Sequence, residues 1–136
     1  MKNHALSSSG AKVVMASCNV ERLLPSSIID GRSDTFWMTS GLYPQCFVLA
    51  FPTPVNVGTV YMQSHNVKSI VLEGTAEEEP KGFCEIIAQE LPANNGGLQK
   101  TTLPSACTEC KYLKVIITSA HDHLCAVYGI QVLSTS

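Results

Sequence analysis

Short apolar or alternating segments recur along the chain, and turn-forming residues separate them. The segments are enriched in Val, Ile, Thr, Tyr and Phe, which β-strands favour. Eight such segments are predicted strands: 11–17, 46–51, 57–63, 67–74, 84–91, 98–103, 112–118 and 126–133. Their spacing of about 8 to 12 residues, without a long helical period between them, predicts an all-β fold of the antiparallel sandwich or jelly-roll type.

Proline, glycine and asparagine mark the predicted breaks between these strands. Pro52 and Pro54 are expected to separate two strands, and Pro104 is expected to follow another. Residues 94–97, Asn-Asn-Gly-Gly, predict a hairpin turn. This glycine pair lacks the strand-to-helix setting of a phosphate-binding loop, so the pattern argues against a nucleotide site of the Rossmann type.

Length and composition are those of one compact domain. The 136 residues fit a single domain spanning 1–136, and 9 Lys+Arg against 11 Asp+Glu give a net charge of -2. Nucleic-acid binding is not expected, because there is no cationic run. Membrane insertion is not expected either, because no segment of about 20 apolar residues exists. The first ten residues lack the apolar segment of an export signal, so a cytoplasmic location is expected.

Six cysteines are expected to be reduced in that compartment. Cys107 and Cys110 form one C-x-x-C motif, which we interpret as a turn carrying two incidental thiols before the strand at 112–118. A redox or metal enzyme built on these cysteines together with His121 and His123 stays open as a third hypothesis. The chain has no recognisable nucleophile signature, and we predict that it is not an enzyme.

One connection, residues 25–37, does not fit the pattern of short alternating segments. Ile28, Ile29 and Trp37 suit a loop that folds onto the core, whereas Asp30 and Asp34 suit tight turns. Oxygen atoms that converge from one loop suit calcium, which takes about 6 to 8 oxygen ligands and accepts backbone carbonyls. The segment is not an EF-hand. The alternative is that Asp30 only caps a turn.

The segments Ser27-Ile-Ile-Asp-Gly-Arg-Ser-Asp-Thr-Phe-Trp37 and Met38-Thr-Ser-Gly-Leu-Tyr-Pro-Gln45 resemble the signature of the intraflagellar transport protein 25 family, also called heat shock protein beta-11. Further matching stretches occur in the same order at 6–10, 67–70, 97–99 and 117–124. The family lies within the galactose-binding, discoidin-like superfamily. The resemblance covers nearly the whole chain, and it implies an antiparallel jelly roll of about eight to nine strands.

The resemblance also implies a function. Members of this family are non-enzymatic subunits of intraflagellar transport complex B, and they form a heterodimer with a Rab-like small GTPase subunit. The expected role is assembly of the cilium or flagellum, transport along it, and export of cargo that includes the BBSome and signalling proteins. The expected location is the cilium or flagellum, the basal body region and the cytoplasm.

A structural calcium site is implied by the same resemblance. Its ligands would be backbone oxygens of Ser27 and Arg32, the carboxylate of Asp30, and the hydroxyl or carbonyl of Thr35. Superfamily members often add an acidic side chain from the last strand, but Leu133 stands at that position. Backbone oxygens near Val132 are therefore expected to complete the shell.

An exposed loop and a single tryptophan carry the remaining binding predictions. The residues Met38, Thr39, Ser40, Leu42 and Tyr43 are predicted to form a partner-binding patch, because a hydroxyl-rich loop that ends in an aromatic is a poor core segment. The alternative function is a cytosolic carbohydrate- or small-ligand-binding module, in which Trp37 would stack on a sugar ring. Trp37 is expected instead in the core, because aromatic residues dominate small β-cores.

Overall fold

The computed structural model describes residues 3–6, 9–16, 28–30, 36–40, 44–92, 97–121 and 124–134. These residues contain seven strands and no regular helix: β1 (Lys12–Ala16), β2 (Trp37–Ser40), β3 (Gln45–His65), β4 (Val67–Thr75), β5 (Cys84–Glu90), β6 (Gln99–Ala120) and β7 (Leu124–Ser134). Within the described ranges, no helix is long and apolar enough to cross a membrane.

Two long strands, β3 and β6, each belong to both layers of a sandwich. In the first layer, residues 45–50 of β3 lie between β1 and the second half of β6, which continues to β4 and then β5. In the second layer, residues 57–65 of β3 lie between β7 and the first half of β6, and β2 pairs with β7 at the edge. All pairings are antiparallel, which confirms the predicted β-sandwich jelly roll.

β3 and β6 each join two segments that were expected to be separate strands, whereas β2 was not among the predicted strands. Pro52 and Pro54 lie inside β3, and Pro104 lies inside β6. Register shifts between Ala50 and Thr59 let β3 pass its prolines without breaking. Bulges accept proline, which has no N–H to donate to the hydrogen-bond ladder, and they bend the strand. The prolines of β3 and β6 therefore lie where each strand passes from one layer to the other.

Side chains satisfy the backbone groups that the bend takes out of the ladder. The Lys111 ammonium donates hydrogen bonds to the carbonyl oxygens of Phe51, at 2.9 Å, and Pro52, at 3.2 Å. The backbone N–H of Glu109 donates to Oδ1 of Asn56 at 2.9 Å. The two strands are therefore held together where their regular pairing lapses.

The core fills the space between the two layers. Trp37 is fully buried and meets Phe47 edge to face, with ring centroids 5.3 Å apart. Burial of a large apolar side chain stabilises a fold by about 1.5–3 kcal/mol. The prediction that Trp37 lies in the core is therefore confirmed. Other large side chains packed there are Phe51, Leu49, Met62, Ile70, Leu72, Leu103, Leu113 and Ile117.

Candidate functional site

The predicted calcium loop is described only in part. Ile28 and Ile29 are buried, as expected, and anchor the segment to the protein. Asp30 follows them in a bend and is exposed. Ser27, Arg32 and Thr35 lie outside the described residues. Among the residues that are described, no group of three or more His, Cys, Asp or Glu is placed to hold a metal.

Backbone oxygens near Val132 in the last strand were expected to complete the calcium shell. Leu133 is half-buried in β7 opposite Thr59. The carbonyl of Val132 accepts a hydrogen bond from the backbone N–H of His4 at 2.9 Å, and its N–H donates to Oδ1 of Asn3 at 2.9 Å. The amino-terminal segment thus already uses the backbone of Val132 that was expected to supply a ligand.

The predicted partner-binding loop begins as a strand. Met38, Thr39 and Ser40 form most of β2 and pair with residues 124–126 of β7, which corrects the expectation of a loop over these three positions. The alternation of apolar and polar residues is too short at this point of the sequence to predict a strand. β2 is the terminal strand in the sheet order, so it is an edge strand among the described residues. Leu42 and Tyr43 lie outside the described residues.

A cleft of about 560 Å³ lies on the second layer, and the sequence analysis did not predict it. Its floor consists of two rows across three neighbouring strands. One row is Thr102 in β6, Tyr61 in β3 and Gln131 in β7; the next row is Lys100, Gln63 and Gly129. Walls come from Asn3, Leu6, Ile28 and Tyr128. We call this feature the sheet cleft.

The sheet cleft offers aromatic faces, amides and hydroxyls. Tyr61 is 39% exposed, and Tyr128 is held by a tilted contact with Phe36 whose ring centroids are 4.9 Å apart. Lys100 is a cation among the described lining residues, and none of these described residues is a carboxylate. The chemistry suits a polar ligand that is neutral or anionic. No motif marks these positions in the sequence; their signal is that the outward residues are Tyr, Gln and Thr and mostly uncharged.

The two cysteines of the enzyme hypothesis are not joined by His121 in one cluster. Cys107 and Cys110 lie inside β6 and not in a turn before it, which corrects the interpretation from sequence. His121 follows β6 and approaches the Leu91 carbonyl with Nε2 at 2.8 Å. His123 lies outside the described residues. The described part of the chain holds no cluster that combines His121 with the two thiols.

Relatives of known name were found by sequence comparison. No family model matches the chain. Intraflagellar transport protein 25 of Chlamydomonas reinhardtii is 35% identical over 98% of this chain and 70% of its own length. The human homolog of that protein is 34% identical over 96% of this chain and 90% of its length. The chain belongs to the intraflagellar transport protein 25 family. The family named by the sequence resemblance is therefore confirmed.

Solved structures similar to this member of the intraflagellar transport protein 25 family are carbohydrate-binding modules. A family 32 module from Clostridium perfringens, solved with galactose, superposes with a TM-score of 0.74 at 14% identity, covering 91% of this chain and 93% of the module. A chitosan-binding module from Paenibacillus sp. gives 0.78 at 19% identity, covering 98% and 100%. At such identities the likeness establishes the jelly-roll fold alone.

Proposed function

We propose that this chain is a non-enzymatic subunit of intraflagellar transport complex B that forms a heterodimer with a Rab-like small GTPase subunit. The observation that carries the proposal is the 34–35% identity to intraflagellar transport protein 25 across 96–98% of the chain. Its role is to support ciliary assembly and transport, including export of the BBSome and signalling proteins. Its location is the cilium or flagellum and basal body region, with a cytoplasmic pool.

Co-expression with the Rab-like GTPase subunit tests this proposal. Size-exclusion chromatography is expected to give one stable peak with both chains in equal amounts, at a mass above either chain alone. Separate elution of the two chains would contradict the heterodimer. Addition of the remaining complex B subunits is then expected to shift the heterodimer into a larger assembly.

The edge formed by β2 and the residues after it is the proposed partner contact, comprising Met38, Thr39, Ser40, Leu42 and Tyr43. An edge strand presents unpaired backbone groups and is a natural place for a second chain to dock. Met38→Asp is expected to weaken co-purification of the partner at least tenfold while the melting temperature shows that the domain is folded. Glu78→Lys, at the exposed tip between β4 and β5, is the control and is expected to leave co-purification unchanged.

Calcium binding through Ser27, Asp30, Arg32 and Thr35 is a further part of the proposal. The exposed Asp30 beside the buried Ile28 and Ile29 supports a loop anchored at one end with a carboxylate toward solvent. Calcium is expected to raise the melting temperature of metal-free protein, and Asp30→Asn is expected to reduce that shift. No shift at millimolar calcium would remove the site, and Asp30 would then act only as a turn residue.

The sheet cleft supports a second candidate function, a carbohydrate- or small-ligand-binding module. Its two tyrosines and two glutamines offer stacking faces and amides, which sugar rings use. A glycan array is expected to show binding that Tyr61→Ala abolishes. The exposed Leu98, which does not line the cleft, supplies the control Leu98→Ala. Absence of binding above background across the array would exclude sugars as ligands.

A further inference from the structure

The C-x-x-C segment of β6 contains a bulge that places both cysteines on one face. In a regular strand, side chains three residues apart point to opposite faces. Here Cys107 pairs with Val57 and Cys110 pairs with Val55, so three steps of β6 oppose two steps of β3. The additional residue restores a common face for Cys107 and Cys110.

A backbone conformation typical of bulges accompanies this register shift. Glu109, between the two cysteines, has φ of +52°, which a side-chain-bearing residue adopts at a cost of about 1 kcal/mol. Its N–H donates to Oδ1 of Asn56 at 2.9 Å. The bulge is therefore held by a specific contact from β3.

The two thiols meet at one point of β4. A Cβ atom built on Gly74 would stand 3.0 Å from Sγ of Cys107 and 3.2 Å from Sγ of Cys110, so the two sulfurs lie within about 6 Å of one another. The Cys110 thiol donates a hydrogen bond to the carbonyl oxygen of Tyr112 at 3.2 Å. Gly74 leaves the space that both sulfurs occupy, since any larger residue would push against them.

The backbone span also suits a covalent bond between the thiols. The bulge fits the two cysteines to a two-residue step of β3, and such a step spans about 6.7 Å in a regular strand. Disulfides accept Cα separations of about 4.4–6.8 Å. Formation of the disulfide therefore requires a small contraction of the bulge and no change in the strand pairing of the sheet.

We propose that Cys107 and Cys110 are a reversible dithiol–disulfide site, oxidised by a low-molecular-weight disulfide such as glutathione disulfide. The Cys107 thiolate attacks one sulfur of glutathione disulfide, whose S–S bond breaks and releases one glutathione. The Cys110 sulfur attacks Cys107 in the mixed disulfide and releases the second glutathione, whose thiolate takes up the Cys110 proton. The protein loses two electrons and two protons, and glutathione disulfide is reduced to two thiols.

Accessibility sets the order of these two steps. Cys107 is half-buried and reachable from solvent, whereas Cys110 is fully buried. Burial, together with the neighbouring Cys107, raises the pKa of Cys110 to about 12, so this group remains a thiol until a disulfide forms beside it. Cys107 is thus the entry residue and Cys110 the resolving residue.

Equilibration of the purified full chain in glutathione redox buffers tests the proposal. After acid quench and alkylation of free thiols, intact mass is expected to show the loss of two hydrogen atoms, and peptide mapping is expected to place the bond between Cys107 and Cys110. A reductant is expected to reverse it. Failure to form this bond in the most oxidising buffer, or bonds spread over other cysteines, would overturn the proposal.

Single serine variants check the roles of the two cysteines. Cys110→Ser is expected to retain glutathione on Cys107, whereas Cys107→Ser is expected to leave Cys110 unmodified because it is buried. Cys84→Ser, at an exposed cysteine of β5, is the matched control and is expected to close the bond as the parent protein does. Circular dichroism and melting temperature confirm that each variant is folded. Equal glutathionylation of both single variants would contradict the assigned order.

Discussion

A single buried glutamine joins three parts of the chain. Gln99 accepts hydrogen bonds at Oε1 from the Ser64 hydroxyl, at 2.9 Å, and from the Val67 N–H, at 3.0 Å. Its Nε2 donates to the carbonyls of Val67, at 2.8 Å, and Pro92, at 3.0 Å. All of its amide capacity is satisfied, so this residue stabilises the β3–β4 turn and the approach to β6 together.

Gln99→Met is therefore expected to lower the free energy of unfolding by about 2–4 kcal/mol, because it leaves several buried backbone groups without partners, each at about 1–3 kcal/mol. Urea unfolding measures the change. Gln131→Met, at an exposed position of β7, is the control and is expected to stay within about 0.5 kcal/mol of the parent protein. An equal loss in both variants would show that the hydrogen bonds of Gln99 are not responsible.

The buried thiol of Cys110 gives stability a pH dependence. Burial and the nearby Cys107 raise the pKa of Cys110 from 9.0 to about 12. The folded state thus holds this proton more tightly than the unfolded state does. The stabilisation of the folded state by the protonated Cys110 thiol is complete below pH 9 and is lost as pH rises toward 12.

Melting temperature measured from pH 8 to pH 11 checks this dependence. Over that range the melting temperature of the parent protein is expected to fall more than that of Cys110→Ala. The variant is expected to have a lower melting temperature at neutral pH but a flatter dependence on pH. Parallel curves for the two proteins would rule out Cys110 as the source. Both measurements require a reductant, so that the dithiol stays open.

At the scale of elements, the bend shared by β3 and β6 is where sequence and structure are most closely coupled. Pro52 and Pro54 end the regular ladder of the first layer, and Lys111 bonds the carbonyls of Phe51 and Pro52. Gly10 packs against the same bend with φ of +96°, and a Cβ atom there would lie 2.9 Å from Pro52. Glycine is thus the residue that this position accepts.

Lys111→Met is expected to destabilise the protein by about 1–2 kcal/mol, because two carbonyl oxygens lose a charged donor that is partly screened by solvent. The exposed Lys68 of β4 supplies the matched control, Lys68→Met, with an expected change below about 0.5 kcal/mol. Chemical denaturation measures both. A neutral result for Lys111→Met would mean that water replaces the ammonium at the bend.

Much of the element pattern was predictable from sequence, because alternation and turn residues act locally. The segments that became β1, β4, β5 and β7 were placed within a few residues, and residues 77–79 form an exposed tip between β4 and β5. The continuity of β3 and β6 was not predictable, since local rules read proline as a break. Only pairing with distant strands keeps the chain extended through it.

The sites were less predictable than the elements. The sheet cleft and the dithiol both depend on register, and a one-residue shift changes which side chains share a face. The C-x-x-C spacing alone suggested a turn, whereas the bulge opposite Val55 and Val57 brings the sulfurs together. The calcium ligands Ser27, Arg32 and Thr35 rest on the family resemblance and lie outside the described residues, so that site stays a prediction.

At the scale of the whole molecule, the two layers cannot separate without breaking two strands. β3 and β6 cross from one layer to the other, and the core packs Trp37 of the second layer against Phe47 of the first. Neither layer keeps its apolar face covered without the other. The described strands are therefore expected to unfold as one cooperative unit.

Urea unfolding is expected to show a single transition with the same midpoint in Trp37 fluorescence and far-ultraviolet circular dichroism, since the tryptophan reports on the packing between layers and the dichroism on all strands. Hydrogen exchange is expected to give similar opening free energies for central amides of β3 and β6 in both layers. A fluorescence midpoint at distinctly lower urea would show that β2 detaches before the rest.

The partnership of β3 with β6 also sets the speed at which the chain assembles. Their paired residues are separated by 35 positions at Ser64 and Gln99, and the separation grows toward Gln45 and Ile117. Closing such long loops costs conformational entropy before core contacts can form and stabilise the chain. Folding is therefore expected on the millisecond-to-second scale typical of β-sandwiches. During synthesis, β1 to β5 emerge before β6, and β7, which lies between β2 and β3 in the second layer, emerges last.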